Sequence, residues 1–303
     1  RFYSPKIEVP AGEEVIMCSY LDHRADGDMY IKAARGQQMT GGHHSAVFVA
    51  SSPQDDYEPH VCGDAEMQNY QFVAAAGGGG GQDTVMPDGV ALRIQDGQQI
   101  VIQSHYINTT DEPMIVMDAI DLELLEESEV DTVVDPFAMV RSDFEVPADA
   151  DAHTVTKTCN VDRPMDIYML LGHTHDYGTL FDFELIREGE EPELLYHATD
   201  GPLLRDSPEI EMYDPPMQLE EGDQLRMTCR WDNTTDHALT WPEEMCVGLM
   251  YYGPGKGWLT CSNDEQTPKV LGGTGEGCAD SSDAGNSLGV REYCTRTGGD
   301  CSH

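Results

Sequence analysis

Two histidines separated by one residue, His173 and His175, are the clearest pair of metal-ligand side chains in the sequence. They follow an apolar run, 167–171, and precede an alternating run, 181–185, and both runs are typical of β-strands. Side chains two apart on a strand share a face, so these imidazoles can hold one metal ion. Taken alone, the motif also fits two ordinary surface histidines.

Three further histidines lie in strand-like segments of the first half of the chain. His43 and His44 follow two glycines, and His105 lies in an apolar run. Adjacent residues on a regular strand face opposite sides, so one ion can bind both His43 and His44 only if the backbone bends or bulges, or if the two rings use different nitrogens. Gly41-Gly42 permits such a bend. An exposed pair at the start of a strand is the alternative, and a lone His105 is typical of a structural role.

Met245 is a further candidate ligand, in the segment Glu243-Glu244-Met245-Cys246. Imidazole suits copper, zinc, iron and nickel, whereas a thioether favours Cu(I). A zinc hydrolase is the weaker interpretation, because zinc rarely takes a thioether and the chain has no H-E-x-x-H motif.

The charge of the chain excludes several kinds of partner. Its 56 acidic and 17 basic residues give a net charge of -39. Nucleic acids and anionic membrane surfaces bind basic patches, so neither is expected as a partner. Adaptation to a salty medium is one hypothesis, since salt screens the self-repulsion, and an acidic secreted protein is the other.

Cysteine usage indicates an oxidising compartment. The nine cysteines include no C-x-x-C pair, which disfavours a zinc ribbon or a thioredoxin-type site and favours disulfides. The odd number predicts one cysteine that is unpaired or joined to another molecule. The start at Arg1 suggests a processed, mature chain. The sequence contains no run of 18 apolar residues, so a membrane span is not expected. A secreted, extracellular or periplasmic protein is therefore expected.

Short alternating runs separated by turns, without a convincing amphipathic helix of 12 or more residues, predict an all-β fold of sandwiches. Val90 to Asn108 is predicted to be a hairpin around Asp96-Gly97. Asn108-Thr109-Thr110 and Asn233-Thr234-Thr235 fit the pattern for N-glycosylation acceptors.

The composition indicates two domains and a tail. Residues 130–136 are predicted to connect two domains. The first domain is then expected at 1–134 and the second at 135–262. Residues 263–303 are polar and glycine-rich, a composition that buries too little apolar area to fold alone. The tail carries Cys278, Cys294 and Cys301, so we expect it to be stapled to itself, to the body or to a neighbouring molecule.

Taken together, the motifs resemble the copper type II, ascorbate-dependent monooxygenases, whose members include the peptidylglycine hydroxylating enzyme and dopamine beta-monooxygenase. The similarity covers about residues 1–262. It rests on four segments that occur in the family's order: His43-His44, Gln103-Ser104-His105-Tyr106, His173-Thr174-His175, and Glu244-Met245-Cys246 with Met250-Tyr251-Tyr252.

The resemblance implies two tandem jelly-roll-like antiparallel β-sandwiches with one copper each. It assigns His43, His44 and His105 to an electron-delivering copper in the first. It assigns His173, His175 and Met245 to a catalytic copper in the second, where oxygen and substrate react. Ascorbate would reduce both ions. The resemblance also implies three disulfides, which join Cys18 to Cys62, Cys159 to Cys261 and Cys229 to Cys246.

Three positions depart from the peptide-amidating members of the family. An Arg before the H-x-H motif is Leu171 here, and an Asn and a Tyr after the Met-Cys pair are Val247 and Leu249. We therefore expect hydroxylation of a small-molecule or exposed C–H group in an apolar or aromatic substrate. The alternative is a non-catalytic copper-binding or extracellular structural protein that self-associates through the tail cysteines.

Overall fold

The computed structural model of the chain describes residues 1–50, 52–63, 70–76, 83–206 and 208–271. In these ranges the chain is nearly all β, as the alternating patterns predict. The described part contains a single short α-helix, α1 (Gly201–Asp206), and a 3-10 turn at Glu127–Glu129. The three tail cysteines lie outside the described residues.

Twelve strands lie in the described residues before 130. They are β1 (Phe2–Tyr3), β2 (Ile7–Val9), β3 (Glu14–Arg24), β4 (Met29–Gln37), β5 (Gly42–Ala50), β6 (His60–Val61), β7 (Tyr70–Ala76), β8 (Thr84–Val85), β9 (Val90–Ile94), β10 (Gln99–Ile107), β11 (Met114–Val116) and β12 (Ala119–Leu125).

Twelve more strands follow among the described residues. They are β13 (Thr132–Val140), β14 (Glu145–Val146), β15 (His153–Asn160), β16 (Met165–His173), β17 (Gly178–Ile186), β18 (Glu193–Ala198), β19 (Glu211–Leu219), β20 (Gln224–Trp231), β21 (Leu239–Thr240), β22 (Val247–Gly253), β23 (Trp258–Ser262) and β24 (Lys269–Leu271).

Each half of the chain packs two sheets around an apolar core. In the first half, the sheet β6-β3-β10-β5-β7 shares a core with β12, β4 and β9. In the second half, the sheet β15-β20-β17-β18 shares a core with β13, β16, β19 and β22. Burial of large apolar side chains in both cores is the main force that holds these layers together.

Strand β13 joins the halves. Its first residues, Thr132–Val134, pair in parallel with β9, and its later residues, from Asp135 onward, pair antiparallel with β22. One long sheet therefore runs through both halves, and the predicted boundary at 134/135 lies inside this strand. The last strand, β24, pairs with β23 beyond residue 262, where the tail is predicted to begin.

The hairpin predicted over Val90–Asn108 is wrong. The turn itself forms, and the Gln98 N–H donates to the Gln95 carbonyl at 3.1 Å. However, β9 pairs with β4 and β13, whereas β10 pairs with β3 and β5. Both strands are largely buried, so each takes partners on both edges in its own sheet, and a local turn signal does not reveal this.

The described part of the chain contains three disulfides, Cys18–Cys62, Cys159–Cys261 and Cys229–Cys246, and these are the pairs that the resemblance implies. None of the described helices is long and apolar enough to cross a membrane.

Candidate metal centres

The three histidines of the first half meet where β5 and β10 pair. His105 is opposite His44, but the next residue, Tyr106, is opposite Gly42, so His43 is the extra residue of a β-bulge. The bulge turns two consecutive imidazoles toward His105, as their shared binding of one ion requires. One nitrogen of each ring lies within 4.8 Å of the other two.

Glycine is needed where this bulge begins. A Cβ at Gly42 would lie 2.5 Å from the Cβ of Gln38. Gly41 has a positive φ of 86°, a conformation that L-residues with side chains rarely adopt. The two glycines therefore allow the backbone to bend and pack closely just before the histidines.

The orientation of His105 follows from its two nitrogen contacts. Its Nε2 lies 2.7 Å from Oε1 of Glu14, on the neighbouring strand β3, and its Nδ1 lies 3.4 Å from Nδ1 of His44. A carboxylate only accepts hydrogen bonds, so Nε2 carries the proton and the Nδ1 lone pair faces His44. This is the tautomer that a metal bound between Nδ1 atoms requires.

Glu14 is ionised in this setting. Partial burial opposes ionisation, but the hydrogen bond with His105 and the positive charge of Arg205 lower the pKa of its carboxyl below the ordinary value. His105 itself is only 1% exposed. The first centre therefore has a buried imidazole held by a charged acceptor.

A second carboxylate supports β10 from its opposite face. Asp118 is fully buried and accepts hydrogen bonds from the hydroxyls of Ser104 and Tyr106, both at 2.5 Å. Gln38 donates to Asp118 at 3.3 Å and to the His44 carbonyl at 3.0 Å. Burial raises the pKa of Asp118, although these hydrogen bonds partly counteract the effect.

The two histidines of the second half also converge. The ring centroids of His173 and His175 are 5.1 Å apart. Nδ1 of His173 lies 3.0 Å from the Leu204 carbonyl, and Nδ1 of His175 lies 3.1 Å from the Glu243 carbonyl. Carbonyls accept, so each Nδ1 carries the proton and each Nε2 keeps its lone pair for a metal.

His173 is neutral at physiological pH. Part of its surface remains exposed, but protein encloses the ring on most sides, and this burial lowers its pKa to about 3. The neighbouring imidazoles of His175 and of His44 in the first centre lower the pKa of His173 further, because two charged rings this close would repel each other. A neutral imidazole is the form that binds a metal ion.

Glu244 holds the backbone at the second centre. Its buried carboxylate accepts the N–H groups of His175 at 2.9 Å and Tyr177 at 2.7 Å, and the indole N–H of Trp231 at 2.7 Å. Burial raises the pKa of Glu244, and the backbone hydrogen bonds lower it in part. The carboxylate thereby ties the residues after His173 to the segment that contains Met245.

Met245 lies between two anchored neighbours. On one side is Glu244, and on the other is Cys246, which forms the disulfide with Cys229 on β20. Met245 is half-buried, and its backbone N–H lies 3.3 Å from Oε2 of Glu244. The thioether therefore extends from a backbone fixed beside His175.

The motifs in the sequence do not predict the supporting residues Glu14, Gln38, Asp118 and Glu244. Glu244 has a local signal, since it stands next to Met245-Cys246. The others have none, because a chain with 56 acidic residues does not mark out a particular carboxylate.

The donor atoms of both groups fit copper. The first offers three imidazoles, and the second offers two imidazoles with a thioether on the adjoining segment, the ligand type that favours Cu(I). His105, His173 and His175 each contact a carboxylate or a carbonyl through one ring nitrogen, which is the usual support of a metal-binding imidazole.

Comparison with solved structures finds similarity at low identity. The crystal structure of the STIV MCP has 9% identity and a TM-score of 0.28, over 82% of this chain and 92% of that chain. The structure of infectious bursal disease virus Gx strain has 8% identity and a TM-score of 0.22, over 82% of this chain and 70% of that one. TM-scores this low support no inference.

Comparison with curated protein sequences finds no significant match. The family model described as "Copper type II ascorbate-dependent monooxygenase, C-terminal domain" matches residues 133–270, which contain His173, His175 and Met245. The second half of the chain is therefore similar to the C-terminal domain of the copper type II ascorbate-dependent monooxygenases.

Proposed function

We propose that the protein is a copper- and ascorbate-dependent monooxygenase that inserts one oxygen atom of O2 into a C–H bond. The observation that carries the proposal is the pair of oriented histidine groups. Three imidazoles converge in the first half, and two more converge inside the family-matched second half. Copper bound at these groups would supply the one-electron and oxygen chemistry that protein side chains lack.

The division of roles follows from the ligands. His43, His44 and His105 would hold one ion, and His173, His175 and Met245 the other. The hydrogen bonds at Nδ1 of His173 and His175 present both Nε2 lone pairs to a metal. Met245 makes this second group the better host for Cu(I), the state that meets oxygen, so it is the proposed catalytic site.

An apolar or aromatic substrate fits the residues near this group. Leu171 and Leu249 are only 8% and 9% exposed and pack into the core of the first half. Val247 is opposite His173 in the strand pairing and is half-buried. Of the three positions that depart from the peptide-amidating pattern, Val247 is therefore the one we propose to contact a substrate, and it offers no polar anchor.

The disulfides support an oxidising compartment outside the cytoplasm, where ascorbate would serve as the reductant. Removing a native bridge of this kind typically reduces stability by about 2–5 kcal/mol.

Copper content tests the two-site proposal. Elemental analysis is carried out on the copper-loaded, purified wild type and on His105→Ala and His175→Ala. The matched control is His197→Ala, because His197 is an exposed histidine bonded to Asp182 and belongs to neither group. We expect two coppers in the wild type and the control, and one in each of the other variants.

Oxygen uptake then tests catalysis. We expect ascorbate-dependent uptake with formation of an alcohol from an apolar or aromatic substrate, and its loss in His175→Ala. Failure to bind copper at neutral pH would contradict the proposal. Two bound coppers without product from any C–H substrate would favour the non-catalytic copper-binding protein.

A further inference from the structure

An ion bridge runs between the two histidine groups. The guanidinium of Arg205 donates from Nη2 to Oε1 of Glu14 at 2.5 Å and from Nη1 to Oδ1 of Asp176 at 2.9 Å. Glu14 is the acceptor for His105 of the first group, and Asp176 directly follows His175 of the second. One side chain thus contacts the immediate surroundings of both groups.

The same Oε1 atom of Glu14 serves both halves of the molecule. It accepts from Nε2 of His105 at 2.7 Å and from Arg205 at 2.5 Å. Arg205 is one of only 17 basic residues in the chain. The Glu14 and Arg205 side chains retain 37% and 25% exposure, so the ion pair itself is expected to add little stability. The ion pair is instead distinguished by its position, because it connects residues beside the two histidine groups.

Helix α1 carries the bridge and also orients the second group. Leu204, the neighbour of Arg205, is 1% exposed and packs into the second core, and its carbonyl accepts from Nδ1 of His173. A Cβ at Gly201 would lie 2.2 Å from the carbonyl oxygen of Gly178, so the helix packs closely on the turn after the H-x-H motif. A displacement of α1 would therefore disturb His173 and Glu14 together.

We propose that Glu14 and Arg205 are positioning residues that link the two metal centres. Glu14 fixes the Nε2-protonated tautomer of His105, so that Nδ1 is presented to the metal. Arg205 holds Glu14 in place from the second half, and it does so from the helix that orients His173. The geometry of the first centre thereby depends on an element of the second.

This inference rests on the proposed copper function, so its first test uses metal-free protein. The tautomer of each histidine is measured from ring ¹⁵N chemical shifts by long-range ¹H–¹⁵N NMR, with His105 assigned by comparison with His105→Gln. We expect a protonated Nε2 at His105 in the wild type and in Glu14→Gln, whose side-chain oxygen can still accept. We expect a mixture of tautomers in Glu14→Ala. An unchanged tautomer in Glu14→Ala would overturn the role of Glu14, whether or not copper binds.

The second test measures the copper affinity of the three-histidine group, with His175→Ala as background so that this group alone is loaded. Loss of an outer partner of a metal-binding histidine typically weakens binding about 10–100-fold, and we expect that loss in Glu14→Ala. Arg205→Gln should weaken binding roughly two- to fivefold, the range for a partly exposed ion pair.

A matched control separates positioning from general stability. Glu184→Gln removes the ion pair between Arg226 and Glu184, whose two hydrogen bonds of 2.8 and 2.9 Å are not at either histidine group. It should leave copper affinity unchanged. Equal affinity in Arg205→Gln and in the background, or an equal loss in Glu184→Gln, would overturn the link between the centres. If the background binds no copper while the tautomer depends on Glu14, the copper function fails and the positioning of His105 by Glu14 stands.

Discussion

Two buried carboxylates hold the backbone around the histidines. Glu244 and Asp118 are both fully buried in a protein that keeps most of its acidic residues at the surface. Each is surrounded by hydrogen-bond donors from the protein instead of a basic side chain, Glu244 by backbone and indole N–H groups and Asp118 by hydroxyls and an amide. Buried polar groups are tolerated when they are satisfied in this way, and they then specify one local geometry.

Glu244→Gln is expected to destabilise the protein. The carboxylate accepts at Oε1 from the Tyr177 N–H and at Oε2 from the His175 and Trp231 N–H groups. An amide puts an NH2 group against donors at one of these positions. An unsatisfied buried donor costs about 1–3 kcal/mol, and we expect that loss in denaturant unfolding of the metal-free protein.

Glu209→Gln is the control for this change, since Glu209 is exposed. Its stability should stay within about 0.5 kcal/mol of the wild type. Equal stability of the two variants would show that the carboxylate at 244 does not hold this segment.

The pH dependence of Asp118→Asn tests the second carboxylate. Burial raises the folded-state pKa of Asp118, so above about pH 3.9 the folded protein binds more protons than the unfolded chain. The contribution of Asp118 to the stability of the wild type therefore falls as pH rises through this window, and Asp118→Asn lacks this contribution. The stability of the variant relative to wild type should increase with pH, by about 1.4 kcal/mol for each unit by which the pKa is raised.

Replacing Asp121 should change the stability relative to wild type in the opposite direction as pH rises. Its hydrogen bond with Arg1 lowers its pKa, so Asp121→Asn should lose stability relative to wild type as pH rises through the Asp range. Chemical unfolding of all three proteins from about pH 2.5 to pH 7 measures both trends, because the Asp121 effect develops mostly below its unfolded pKa of about 3.9. A relative stability of Asp118→Asn that is flat with pH would contradict the raised pKa.

At the scale of strands and loops, β10 is the element on which the first centre depends. It lies between β3, which carries Glu14, and β5, which carries His43 and His44. The sequence predicts the strands. It also predicts either a bend or bulge at His43-His44 or the use of different ring nitrogens, because adjacent side chains on a regular strand face opposite sides. It does not predict the partners of β10, because strand pairing is decided by contacts between segments far apart in the chain.

The two halves share a loop structure that the glycosylation pattern alone does not predict. Asn108 and Asn233 each begin an Asn-Thr-Thr-Asp segment, and each side chain is 1% exposed. The Asn108 amide donates to the carbonyls of Val9, Pro10 and Glu112, and the Asn233 amide donates to those of Val146, Pro147 and His237. The sequence signal for this shared loop is that a Val-Pro-Ala segment and an Asn-Thr-Thr segment occur in both halves. They identify these asparagines as structural.

The folded protein should therefore carry no glycan at Asn108 or Asn233, although both fit the acceptor pattern. A glycan on Nδ2 would break buried hydrogen bonds to three carbonyls and could not be enclosed in the loop. Peptide mapping by mass spectrometry, on protein secreted from a glycosylating host, measures this. A glycan at either position, on protein that still unfolds cooperatively, would contradict the structural role.

For the whole molecule, the halves form one continuous structure in which Arg205 contacts residues beside both histidine groups. The shared sheet crosses through β13, and Tyr168, Leu171 and Leu249 of the second half extend the core of the first. The family pattern predicts the two groups separately. It does not predict the bridge through Arg205, because a single Arg in α1 carries no motif and its partner Glu14 is 191 residues away.

The net charge of -39 should make stability depend on salt. Acidic residues outnumber basic ones 56 to 17, so most carboxylates repel each other in the folded state, which holds them closer together than the unfolded chain does. Raising NaCl from 0.1 to 1 M shortens the screening length from about 10 to about 3 Å. We expect the Tm to rise by several degrees, even though exposed pairs such as Arg35–Glu123 weaken.

Lowering the pH separates screening from other effects of salt. At pH 4.5, close to the pI of about 4.2, many carboxylates are protonated and little repulsion remains to be screened. The rise in Tm with NaCl should therefore be large at pH 7 and small at pH 4.5, as measured by calorimetry at both values. An equal rise at both pH values would assign the effect to the general action of salt on apolar surface, and no rise at pH 7 would contradict adaptation to a salty medium.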